Sequence, residues 1–126
     1  MKSNPIVWFE IYVQDMQRAK KFYESVFAVN LSKLDAPASE GNLEMWAFPM
    51  EQGQGGAGGA LCKMDGAPSG GGGTLIYFAC DDCAVEAKRA AANGGKMFKD
   101  KFSIGQYGQI AMVTDTEGNM IGLHSM

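Results

Sequence analysis

An aspartate stands twice at the same junction in this chain, each time between a strand-like run and a helix-like one. Residues 6–13, Ile-Val-Trp-Phe-Glu-Ile-Tyr-Val, are rich in β-branched and aromatic side chains and read as a strand. Asp15 then caps a helix whose apolar positions, Met16, Ala19, Phe22, Tyr23, Val26 and Phe27, follow helical spacing. Residues 74–80 read as a second strand, Asp82 as a second cap, and residues 83–93 as a helix that Gly94-Gly95 ends. Further strands are expected at about 30–34, 43–50 and 60–64 after the first helix, and at about 96–98, 109–114 and 120–124 after the second. Asp115-Thr116-Glu117-Gly118-Asn119 is a turn between the last two. Laying Asp15 over Asp82 superposes strand on strand and helix on helix. The simplest organisation is therefore an α+β chain of two tandem β-α-β-β-β modules in one domain, residues 1–126. Module 1 covers about 5–65, a linker with Pro68 and Gly70-Gly71-Gly72-Gly73 covers about 66–73, and module 2 covers about 74–126.

Bulk properties narrow the role. With 46% apolar and 20% charged residues the chain can build a core and is not a disordered one. A net charge of −3 leaves no basic footprint for nucleic acid or an anionic membrane. No run is long and apolar enough to span a bilayer, and Met1-Lys2-Ser3-Asn4-Pro5 leads into a strand rather than a signal-peptide core. Three cysteines, an odd number, argue against a disulfide framework and for a cytoplasmic location.

Phe9-Glu10-Ile11 with Asp15, Arg18-Ala19, Phe22-Tyr23 and Val26-Phe27 carry a resemblance to a known family. So do Asp81-Asp82, Gly94-Gly95 and the 115–119 turn in the second half. In these the chain resembles the vicinal oxygen chelate superfamily, which holds glyoxalase I, bleomycin-resistance proteins and extradiol dioxygenases. It looks most like the small glyoxalase-related members. The resemblance implies a curved mixed sheet shaped as a cup, with helices outside and a small-molecule pocket inside, and it implies a homodimer. Family enzymes carry His or Glu metal ligands on the first and last strands of each half. Those places hold Trp8, Ala60, Leu75 and Gly122 here, none of which ligates a metal through its side chain. The expectation is therefore no metal cofactor. The alternative is a relocated divalent ion such as Zn, Ni, Mn or Fe on Glu10 and His124.

Strand side chains alternate between faces, which predicts what lines the cup. Glu10 and Tyr12 share a face with Trp8, Tyr77 and Ala79 with Leu75, Cys62 with Ala60, and Met120 and His124 with Gly122. Phe9-Ile11-Val13 and Ile76-Phe78-Cys80 then face the helices. Glu10, Tyr77 and His124, the only histidine, are the candidate catalytic groups: a base, an oxyanion donor and a proton shuttle. Trp8, Tyr12, Cys62, Leu75, Met120 and Gly122 are the candidate ligand-binding residues.

Two sharper-looking signals carry little. Cys80-Asp81-Asp82-Cys83 has C-x-x-C spacing, but its acidic centre opposes a thiolate, and Cys83 fills the slot that Met16 fills in module 1. Gly53, Gly55 and Gly58 have dinucleotide-loop spacing, yet a strand rather than a helix follows them, so the segment reads as a loop at the pocket rim. Two functions remain. One is a metal-free module that binds or sequesters a small organic molecule. The other is a glyoxalase-like isomerase or lyase acting on a small oxygenated substrate through Glu10, Tyr77 and His124 or a relocated metal.

Overall fold

A computed structural model describes residues 4–51, 53 and 55–126. Module 1 contributes β1 (Ile6–Tyr12), α1 (Met16–Phe27), β2 (Ser32–Leu34), β3 (Glu44–Ala47) and β4 (Gly58–Lys63). Module 2 contributes β5 (Thr74–Ala79), α2 (Cys83–Ala92), β6 (Lys96–Ser103), β7 (Gln109–Thr114) and β8 (Met120–Ser125). The strands form one eight-stranded mixed sheet in the order β2-β3-β4-β1-β5-β8-β7-β6. That order maps onto itself when the modules are exchanged. β1 runs parallel to β4 as β5 does to β8, and the antiparallel β1–β5 pair joins the halves at the centre. The sheet is open at β2 and β6, yet its two edges approach each other. Beyond them the Tyr107 hydroxyl donates to the Asp35 carbonyl at 3.1 Å, so segments of the two modules meet.

Both helices start as their sequences dictate. The carboxylate of Asp15 accepts from the Arg18 N–H and that of Asp82 from the Ala84 N–H, each at 3.0 Å, satisfying donors that the first turn leaves free. Gly94, with φ of +94°, takes the left-handed conformation beyond α2 that a side chain would resist. On the helix side, Met16, Leu31 and Leu61 form one buried cluster with Ile11 and Val13. Cys83, Ala87, Ala111, Val113 and Leu123 form the other, with Phe78 and Cys80 against it. Turning most apolar area of each module onto one helix leaves the opposite face of the sheet free to form a site.

Several sequence boundaries shift. β6 runs to Ser103 rather than ending near 98, because Lys99, Asp100 and Lys101 carry no apolar alternation on an exposed edge strand and so give no strand signal. β3 is shorter than expected, and β4 starts at Gly58, so the third glycine of the dinucleotide-like spacing opens a strand. Gln52 and Gln54 of that loop, and residues 1–3 of the N-terminal reading, lie outside the described residues. Ile76, expected against a helix, is 36% exposed, and Phe22, Val26 and Phe27 of α1 are also exposed. Among the described residues no helix is long and apolar enough to cross a membrane. All three cysteines are free thiols.

Candidate functional site

One face of the sheet carries a cavity of about 240 Å³. Its floor is β1. Trp8, Glu10 and Tyr12 alternate onto this side, and an irregularity in the β1–β5 pairing between Ile6 and Trp8 brings Val7 to the wall as well. Glu10 is only 6% exposed. Each of its oxygens is engaged: the Tyr12 hydroxyl donates to Oε1 at 2.7 Å, and the Trp8 indole N–H donates to Oε2 at 3.2 Å. One strand thus buries a carboxyl group and supplies its two donors from two residues on either side, and neither donor is a cation.

Burial holds the Glu10 carboxyl above the usual carboxylate range, with the nearby Glu40 charge adding to it, while the bonds from Tyr12 and Trp8 oppose the rise. The hydroxyls of Tyr12 and Tyr77 are held well above the ordinary tyrosine value, by burial first and then by the Glu10 charge. Both stay protonated as donors throughout the physiological range. The Tyr77 side chain reaches the cavity from β5, beside Trp8 across the ladder, and its hydroxyl has no hydrogen-bond partner among the described residues. From β8, His124 Nε2 lies 2.6 Å from the Tyr107 carbonyl. A carbonyl only accepts, so Nε2 carries a proton and donates it to this bond.

Five expected residues, Trp8, Glu10, Tyr12, Tyr77 and His124, therefore line one cavity. No hydrogen bond links Glu10, Tyr77 and His124 to one another among the described residues, so they share the space rather than form a relay. Four others stand elsewhere. Cys62 is fully buried behind the wall with Met45 and Ala60, and burial raises its thiol far above the ordinary value. Leu75 pairs with Glu10 in the ladder but does not reach the cavity, and Met120 pairs with Thr114 at the start of β8. Gly122 lies under the Tyr77 ring: a Cβ there would fall 2.2 Å from Tyr77 Cδ1. The ring covers that position, which leaves it no access to a ligand.

The sequence reading missed the rest of the wall. Met45 and Ile110 follow from strand alternation once β3 and β7 are placed in register with Cys62 and His124. Glu40 and Tyr107 sit in or end short turns, Ala38–Glu40 and Gly105–Tyr107, where no periodicity announces which side chain points inward. Met50 adds a thioether at the rim.

Residues 5–123 match the family model of the Glyoxalase/Bleomycin resistance protein/Dioxygenase superfamily, and the chain belongs to that superfamily. Among curated proteins it is 30% identical over 118 residues to "Putative glyoxylase CFP32" of Mycobacterium bovis, and equally to that of Mycobacterium tuberculosis. The match takes in 92% of this chain and 43% of those proteins, so the chain spans less than half the length of these relatives. A hypothetical protein, BH1468 from Bacillus halodurans, has a similar structure with a TM-score of 0.72 at 15% identity, covering 99% of this chain and 96% of that one. Methylmalonyl-CoA epimerase from Mycobacterium tuberculosis aligns with a TM-score of 0.70 at 15% identity, covering 99% of this chain and 92% of that one. The Streptomyces coelicolor methylmalonyl-CoA epimerase in complex with 2-nitronate-propionyl-CoA gives 0.68 at 18% identity, covering 95% and 92%. At these identities the structural likeness speaks for the fold alone.

The metal that family enzymes use meets a poor donor set here. Trp8 offers an N–H already given to Glu10, Ala60 a methyl, Leu75 an isobutyl group, and Gly122 a backbone covered by a ring. No group of three or more His, Cys, Asp or Glu side chains able to hold a metal occurs among the described residues. The residues at the family's ligand places do not fit a divalent ion.

Proposed function

We propose that this chain is a small-molecule-binding module of the glyoxalase superfamily that works without a divalent metal held at the family's ligand places. The observation that carries this reading is Glu10, buried with both oxygens bonded at the floor of a cavity otherwise walled by aromatic and aliphatic side chains. Small-molecule sites have this composition: mostly apolar walls and a few placed polar groups that fix orientation. Trp8 in the floor provides an intrinsic reporter. Ligand screening by tryptophan fluorescence should find saturable quenching, and Trp8→Phe should remove most of the signal. Dialysis against Ni, Zn, Mn and Fe(II) should leave no stoichiometric metal. Saturable, near-stoichiometric uptake would overturn the metal-free reading and point to a site on Glu10 and His124.

A second reading is acid–base isomerisation or lysis of a small oxygenated substrate. Glu10, its carboxyl raised by burial, is placed to take and return a proton, and the Tyr77 hydroxyl, unpartnered among the described residues, is suited to donate to a developing oxyanion. The Glu10→Gln variant separates the two readings. Catalysis predicts a fall in turnover of roughly 10²–10⁴-fold with binding kept, whereas a binding module shows a change in affinity and no turnover in either form. The pairing of two copies that the family implies is part of the proposal, and sedimentation should give twice 13.5 kDa.

A further inference from the structure

The charges around the cavity are lopsided. Glu10 and Glu40 both line it, and among the described residues no lysine or arginine does. Glu10, only 6% exposed, has neutral donors for partners, Trp8 and Tyr12, and no ion pair among the described residues. His124 also lines the wall, and its Nε2–H is already given to the Tyr107 carbonyl at 2.6 Å. Four aromatic side chains, Trp8, Tyr12, Tyr77 and Tyr107, stand around the two carboxyl groups. The Tyr77 hydroxyl, on a side chain only 8% exposed, faces this space without a partner.

Resting on the reading of this cavity as a binding site, we propose that its ligand is a small apolar molecule bearing a cationic nitrogen. The ammonium group sits among the aromatic rings and donates to Glu10, and the apolar body lies toward Leu34, Met45 and Ile110. Three arguments converge. An anionic ligand would meet two carboxyl groups and, among the described residues, no lysine or arginine, a desolvation cost nothing in the described wall offsets. A cation would instead neutralise the Glu10 carboxylate and gain from the negative faces of Trp and Tyr rings, an attraction strengthened where water is excluded. The volume, about 240 Å³, lies below the roughly 300–1,000 Å³ of pockets that hold drug-sized ligands. The occupant is therefore small, and an acyl-CoA of the kind named with the structural neighbours is disfavoured by both charge and size.

The surroundings of Glu10 favour a cation further. The groups facing Glu10 are Tyr12 and Trp8 on its own strand, Glu40 from the turn before β3, Cys62 from β4, and Tyr77 from β5, with His124 in the same cavity. Only Glu40 among these brings a charge that raises Glu10. A bound ammonium would supply the positive charge that these surroundings lack.

The test uses three probes of one skeleton: 2-phenylethylamine, 2-phenylethanol and phenylacetate, titrated calorimetrically into the intact chain. The amine should bind at least about tenfold more tightly than the alcohol, and phenylacetate should bind more weakly than both. Glu10→Gln should cut the amine's advantage at least about tenfold, with Glu40→Gln reducing the advantage less. Chemical denaturation shows whether each variant is folded, and if Glu10→Gln is not, the Glu40→Gln series decides. Alcohol or phenylacetate binding as tightly as the amine would sink the cationic ligand while leaving the binding site standing. Failure of all three probes to bind, with Trp8 fluorescence unmoved, would sink the site and the proposal together.

Discussion

The two modules use one packing device on opposite faces of the sheet. In module 1 the Phe9 ring lies over Gly59, its ladder partner on β4, and a Cβ at Gly59 would fall 2.4 Å from that ring. In module 2 the Tyr77 ring lies over Gly122, its partner on β8, with the corresponding distance 2.2 Å. Phe9 points to the helix side, where its ring centroid is 5.6 Å from that of Phe48, whereas Tyr77 points into the cavity. Superposing Asp15 on Asp82 places Glu10, not Phe9, at the position of Tyr77. At matching cavity positions one half thus presents a buried acid opposite Ala60 and the other an aromatic ring laid over glycine. The division of labour follows. The first half supplies both carboxyl groups and most of the wall, and the second closes the space with Tyr77, Tyr107 and His124.

Adding a methyl group to each glycine tests that comparison most severely. Gly122→Ala should cost about 1–3 kcal/mol, the usual penalty of overpacking. It should also weaken any cavity ligand, because the Tyr77 ring, only 8% exposed, has nowhere to go but the cavity. Gly59→Ala should cost less, since Phe9 is half-buried and can shift outward without touching the site. Urea midpoints and ligand affinity measured together decide the matter. Equal losses of affinity would mean that the two rings are not assigned to separate faces.

The next contrast is electrostatic. Glu10 is raised in the folded chain, so the native state binds its proton more tightly than the unfolded state does. Stability from this group is fully present below the ordinary glutamate value and is lost as pH rises through the raised one. The wild-type urea midpoint should therefore fall across that window on going to neutral pH, and Glu10→Gln should remove that part of the fall. Tyr77→Phe, at the matching position, should leave the slope near neutrality unchanged, because its hydroxyl titrates far above this range. A slope that survives in Glu10→Gln would assign the pH dependence to another group.

Helix caps give a smaller and more even comparison. Asp15→Ala removes a single bond to the Arg18 N–H and should cost about 1 kcal/mol. Asp82 also meets Lys101 at 3.0 Å, and that contact with the capping bond holds its exposed carboxyl below the usual range. Asp82→Ala should therefore show a loss that shrinks as salt is added, and Asp15→Ala should not. Salt dependence in neither variant would leave the Lys101 contact without weight.

These contrasts also explain what could be read in the sequence. Alternation on β1, counted from Trp8, brought Trp8, Glu10 and Tyr12 to the cavity, because a central strand flanked by hydrogen-bonded neighbours keeps its period of two. The same counting failed at Gly122, where the absence of a side chain let a neighbouring ring occupy the face the glycine shares. It failed at Cys62 because the cavity-facing side of β4 is sealed by Met45. Glu40 and Tyr107 were beyond its reach. Their positions depend on contacts between distant loops, such as Tyr107 to Asp35, which no local pattern records.

The smallest expected effect concerns Cys80 and Cys83. Cys83 is the first residue of α2 as Met16 is of α1, and both are buried in the helix-side cores. The equivalence makes Cys83 a core side chain whose position is set by packing. Cys80, at the end of β5, is half-buried, and its thiol is pushed up to about 11, by burial first and then by the nearby Glu86 charge. Little thiolate is present at neutral pH, and thiolate is the reactive form. An aromatic disulfide reagent at pH 7.5 should therefore react with Cys80 more slowly than with a free thiol, and with Cys83 only at the rate of unfolding. Mild oxidation and Cys80→Ser should each leave the unfolding free energy from urea titration within about 0.5 kcal/mol of wild type. A fast-reacting thiol, or a midpoint that rises on oxidation, would make the pair a dithiol couple. It would also break the equivalence of Cys83 with Met16 on which the comparison of the modules partly rests.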